Sequence, residues 1–128
     1  MFTHAIAVEE IKVAFPELRA DMENETWRGL LHLEIGCFAR FTQERIDAED
    51  REGVQRCFAL ADRIFANCDP VVENAFYVSY LEHLELKDGK KRRAWAMEFM
   101  PPRLQRGYTQ INRYMDGLSK RKGSPRRA

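Results

Sequence analysis

Apolar residues recur along this chain at helical intervals. Val54, Cys57, Phe58, Ala61, Ile64, Phe65 and Cys68 fall at i, i+3, i+4, i+7, i+10, i+11 and i+14, a one-sided stripe that predicts a helix. A longer helix is predicted over about Trp27 to Ile46, where Trp27, Leu30, Leu31, Ile35, Phe38 and Phe41 share a stripe. Gly36 lies inside it at a cost of about 1 kcal/mol relative to alanine, which predicts a close helix contact there. Asp69-Pro70 reads as a helix start, with Asp as the cap and Pro in the first turn. The helix it opens, about Pro70 to Leu86, is apolar around most of its girth, so a central position is expected.

The ends of the chain follow the same logic. Ile6, Val8, Ile11 and Phe15 give an opening helix from Thr3 to about Ala14; Pro16 interrupts it, and Glu17 to Met22 form a short second turn. Asp88-Gly89 marks a turn, and Lys90 to Phe99 read as a short helix anchored by Trp95 and Phe99. After Pro101-Pro102, Leu104, Tyr108, Ile111, Met115 and Leu118 form a narrow seam over about Pro102 to Leu118, suited to packing within the chain or against a second copy in a homodimer. No stretch alternates with period two between hairpin turns. The expected fold is all-α, a compact bundle of about five or six helices without a sheet. Residues 1–118 are expected to form one domain, and 119–128 a basic, disordered tail.

Composition narrows the class of protein. With 128 residues, 45% hydrophobic and 32% charged, the chain can bury a core and offers no run of ~18 apolar residues for a membrane helix. Cys37, Cys57 and Cys68 are an odd set without a CxxC pair, and Glu9 and Glu10 cut short any signal-like apolar stretch. A reduced, cytoplasmic protein is expected. The net charge of +1 conceals an asymmetry. Residues 1–86 hold 8 Lys+Arg against 17 Asp+Glu, a balance of −9, whereas residues 87–128 hold 13 against 3, a balance of +10. Such separation steers partners rather than setting the fold.

Candidate chemistry is sparse. His-Leu-Glu occurs at His32–Glu34 and at His83–Glu85, but the Pro-Cys-x-x-Cys partner of a zinc deaminase is missing. No HExxH and no glycine-rich phosphate loop exist, and Cys57 and Cys68 stand about 16 Å apart along a helix, too far to share one ion. Ser79 and His83, at i and i+4, can touch, and read best as a polar pair satisfying the core. Glu73, Asn74, Ser79, Glu82 and His83 are left open between a structural and a functional role. No catalytic residue, metal or cofactor is expected.

One pattern goes further. Phe15-Pro16-Glu17-Leu18-Arg19, Phe38-Ala39-Arg40-Phe41 and the run Glu73-Asn74-Ala75-Phe76-Tyr77-Val78-Ser79-Tyr80-Leu81-Glu82-His83-Leu84 resemble a family of small bacterial helical domains of unknown function. The resemblance covers about Phe15 to Arg106 and carries an E-N-x-x-x-V-S-[FY]-L-E-x-L motif, with Tyr80 where phenylalanine is usual. It implies a stand-alone cytoplasmic protein, with some members associated with the immunity proteins of bacterial toxin systems, and it brings no catalytic residue.

Two functional expectations result. The first is a non-enzymatic binding protein, a toxin-neutralising immunity protein in its sharpest form, presenting Glu44, Asp47, Glu49, Asp50 and Glu52 to a basic partner. The alternative is nucleic-acid association through Lys90, Lys91, Arg92 and Arg93 together with Lys120, Arg121 and Lys122; Trp95 lies nearby, where an exposed aromatic could stack on a base, but it reads better as core, and the acidic front would repel the same polymer.

Overall fold

Each helix starts where a local backbone signal permits it, and its apolar stripe decides what it packs against. The computed structural model describes residues 1–86 and 93–121, the side chains of Asp116 and residues 118–121 excepted. Helix α1 spans His4–Ala14, followed by a 3₁₀ turn at Pro16–Leu18 and the short α2, Arg19–Met22. Helix α3 covers Leu31–Asp47, α4 Arg51–Ala66 and α5 Pro70–Ala75. A π-helical segment, Phe76–Leu81, continues α5 without a break. A 3₁₀ helix at Ala94–Phe99 leads into α6, Pro102–Arg121. Among the described residues there is no strand, only an isolated parallel bridge between Phe2 and Cys68. No helix among them is long and apolar enough to cross a membrane.

Three boundaries differ from expectation for identifiable reasons. Helix α3 starts at Leu31 rather than Trp27, because Gly29 takes a left-handed backbone (φ +86°) that ends the preceding turn. The buried Glu34 fixes the new start: its Oε2 accepts from Gly29 N at 2.8 Å, while its Oε1 pairs with His4 Nε2 at 2.6 Å. The fourth predicted helix does not run unbroken to Leu86. After Ala75 it widens, with Glu82 N donating to the Tyr77 carbonyl five residues back at 3.1 Å, and it ends in a turn. The wider turn lets Phe76, Tyr80 and Leu81 all face inward together with Ser79. Helix α6 continues to Arg121, past the expected end at Leu118. The remainder of the basic tail, 122–128, lies outside the described residues.

The expected start at Asp69-Pro70 is present, with Asp69 Oδ1 accepting from Val72 N at 2.9 Å. The α3–α4 link also behaves as a cap: Asp50 Oδ1 accepts from Gly53 N at 3.0 Å. A Cβ on Gly53 would collide with that carboxylate, so the glycine makes room for the cap.

The π segment lies between α3 and α6. On the α3 side, Tyr80 stacks on Phe38 with ring centroids 4.9 Å apart, and Phe76 lies 5.4 Å from Tyr80. The fully buried Tyr80 hydroxyl shares a 3.0 Å hydrogen bond with Thr42, whose own hydroxyl also donates to the Phe38 carbonyl. Burial pushes the phenol well above its ordinary pKa. On the α6 side, a Cβ on Gly107 would sit 3.0 Å from Leu81 Cδ1 and 3.4 Å from Phe65, so this glycine allows α6 to approach closely. Leu104 and Tyr108 are buried there, which places the first half of the predicted seam within the chain. Tyr108 also donates from its hydroxyl to the Leu84 carbonyl at 3.3 Å.

Candidate functional site

Between the outer face of α3 and the end of the π segment runs a cleft of about 540 Å³. Its α3 wall contains His32, Leu33, Gly36, Ala39, Arg40 and Gln43, and positions four or seven apart line one side of a helix. From His32 to Gln43 this stripe is about 16 Å long at 1.5 Å per residue. Ser79, His83 and Glu85 form the opposite wall, and Trp27 completes the lining.

The cleft is fixed by side chains that bridge distant segments. At its Gln43 end, that residue clasps the backbone of Glu85: its Oε1 accepts from Glu85 N at 2.9 Å, and its Nε2 donates to the Glu85 carbonyl at 3.2 Å. Along the α2 side, Trp27 Nε1 donates to the Asp21 carbonyl at 2.8 Å, and Arg40 Nη2 donates to the Asp21 carboxylate at 2.9 Å. The indole has then used its single donor, and what remains of it is apolar.

Inside the cleft, His32 Nδ1 and Ser79 Oγ are hydrogen-bonded at 2.7 Å across 47 positions of sequence. This corrects the expected Ser79–His83 pair. The π turn carries Ser79 toward α3, and the imidazole of the exposed His83 makes no hydrogen bond among the described residues. The histidines of both His-Leu-Glu tripeptides thus line one cleft. Cys37 also borders it, but burial, with help from Asp21, pushes its thiol up to about 11, so it remains protonated at neutral pH.

Gly36 corrects a second expectation. A Cβ on this residue would meet nothing within 4 Å beyond its own helix, so no helix packs closely there. The glycine forms part of an open floor. Gly107 makes the close contact that Gly36 was expected to make.

The predicted contact residues fare unequally. Asp47 is bound by Gln43 and by Arg93, whose Nε donates at 2.9 Å, and Asp50 caps α4 and pairs with Arg45 at 3.5 Å. Glu44, Glu49 and Glu52 are exposed at the same corner. Of the basic cluster, Arg93 binds Asp47 and, at 3.0 Å, Glu85. Lys90, Lys91, Arg92 and Lys122 lie outside the described residues, as do the side chains of Lys120 and Arg121. Trp95 is half-buried, edge-on to Phe99, with the Arg51 guanidinium 4.3 Å from its ring centre. Glu73 and Asn74 are exposed, and only Ser79 and His83 of the polar group reach the cleft. No set of three or more potential ligands among the described residues is placed to hold a metal ion.

Sequence reasoning missed the cleft. The signal within reach was Gly36 in a strong stripe one turn after His32, but the opposite wall comes from a segment more than 40 positions away. No curated protein and no solved structure matches this chain. A family description does match, over residues 8–116, wider than the expected Phe15 to Arg106 and taking in most of α6. By that match, the chain belongs to the family described as a domain of unknown function, DUF7674.

Proposed function

We propose that the protein is a non-enzymatic binding protein, with toxin neutralisation as the specific form of that role. Gly36 carries the reading. A glycine in a helix interior costs about 1 kcal/mol, and here its missing side chain relieves no contact within the fold. What it provides is depth in a cleft bordered by the half-exposed Leu33, the Trp27 ring and the polar groups of His32 and His83. Apolar contact area with a few oriented polar groups is what a recognition site needs. Glu44, Glu49 and Glu52, on the acidic part of the chain, raise the encounter rate with a basic partner.

The test is co-expression with a toxin-like basic protein encoded beside this one, and capture of that protein in vitro. Growth should be rescued, and a complex should form whose association slows as salt rises. Gly36→Leu, which fills the floor, should weaken capture about tenfold or more. A neighbouring product that is neither bound nor neutralised contradicts the reading, as does capture that ignores both salt and the filled floor.

One observation favours the second reading, nucleic-acid association. Arg106 and Arg113, seven positions apart and so on one side of α6, are exposed beside Thr109 and Gln110 in a shallow groove. The packing of Trp95 and the ion pairs of Arg93 take away part of the expected surface. A mobility shift with duplex DNA or RNA that fades between low and moderate salt would favour this reading, and no shift at low salt would remove it.

A further inference from the structure

We infer that the cleft along α3 takes a carboxylate carried on an apolar body, from the C-terminal residue of a partner chain or from a free aromatic acid. The inference rests on the cleft being the binding surface and names the chemistry it selects. Three features of the cleft point the same way.

The first is the distribution of free hydrogen-bonding capacity. Arg40, half exposed, commits only Nη2, to Asp21 and more weakly to Cys37 Sγ at 3.6 Å. Its Nε and Nη1 make no hydrogen bond among the described residues; they lie on opposite edges of the guanidinium, and either can give a single charge-assisted hydrogen bond to a carboxylate oxygen. The His83 imidazole is likewise without a hydrogen bond among the described residues. The carboxylate already in the cleft, that of Glu85, is bound by Arg93 Nη1 at 3.0 Å.

The second is charge. Asp21 offsets part of the Arg40 charge, so the site suits a single negative charge better than the double charge of a phosphate monoester. The third is shape. Gly36 and Ala39 give a floor of small residues, while Trp27 and Leu33 supply apolar surface. The Trp27 ring is held by its bond to Asp21, so it is oriented before anything binds. At about 540 Å³ the space lies within the range of ligand pockets.

The experiment uses the full chain, with heteronuclear NMR and calorimetry as readouts. The probes are 3-phenylpropionate against 3-phenylpropionamide, and an acetylated tripeptide ending in phenylalanine as free acid against its amide. Each acid should bind about tenfold more tightly than its amide, the scale of one charge-assisted contact. Shifts should centre on residues near Gly36, Arg40 and Ser79. Arg40→Gln should reduce the acid to the level of the amide, and Gly36→Leu should remove both; thermal melting of each variant shows that it is folded. Tighter binding of the peptide acid identifies a partner's C-terminus as the source, and tighter binding of the small acid identifies a free metabolite. Acid and amide binding alike, or neither probe perturbing the cleft, overturns the inference, and capture of a protein partner would then still support the binding reading. Selective acid binding combined with partner capture that ignores Gly36→Leu supports the inference and overturns the placement of that partner in the cleft.

Discussion

The two sides of the π segment differ in how they use a glycine. Toward α6, Gly107 lets Leu81 and Phe65 approach to within ordinary or tighter packing distance, and the interface is closed. Toward the outer face of α3, Gly36 faces open space, and the cleft bordered by Ser79 and His83 remains. Both glycines lie inside helices and carry the same propensity cost of about 1 kcal/mol. One cost is offset by packing inside the fold. The other is offset by no contact inside the fold, and that contrast sets the open cleft apart from the closed α6 interface.

Substitutions at either glycine, and at the aromatic cluster beneath them, test the contrast between a closed and an open side. The largest effect is expected at the hub that both sides share. Phe38→Ala removes the ring on which Tyr80 stacks, and denaturant unfolding should show a loss of about 3–5 kcal/mol. Gly107→Val should cost about 1–3 kcal/mol through overpacking against Leu81 and Phe65, seen as a lower unfolding midpoint with an unchanged m-value. A neutral result there would mean that the α6 side is not closed. Tyr80→Phe should cost about 1 kcal/mol, since Thr42 keeps its bond to the Phe38 carbonyl when the phenol is lost.

A pH series tests the same interior without mutation. Burial raises the thiols of Cys37 and Cys57 from an ordinary 9.0 to about 11, so the folded chain keeps protons that the unfolded chain releases first. The thiol contribution to stability should be constant below about pH 9 and be lost as the pH rises toward 11, measured by urea midpoints under reducing conditions. Replacing Cys57 with alanine should flatten that slope, whatever it does to stability at neutral pH.

Much of the scaffold could be read in the sequence, because its signals are local. The stripe of α4 from Val54 to Phe65, the Asp69-Pro70 start and the seam through Leu104 and Tyr108 each concern neighbours within a few turns. The site was not legible in this way. Ser79 looked paired with His83 because ordinary helical geometry places i and i+4 together, and the π turn breaks that geometry. Its actual partner, His32, is 47 positions away. Gly36 and Gly107 cannot be told apart by sequence, since what distinguishes them is whether another element fills the space above. The acidic corner shows the same limit: the sequence does not display that Asp47 is bound by Arg93, 46 positions away, alongside any part it has in partner contact.

The most direct measurement is the unfolding free energy of Gly36→Ala. If the glycine is there to leave the cleft open, alanine should raise stability by about 1 kcal/mol with an unchanged m-value, because the helix gains and nothing is crowded. A loss of stability would contradict the account, for it would show that Gly36 serves packing within the fold and that the cleft is incidental.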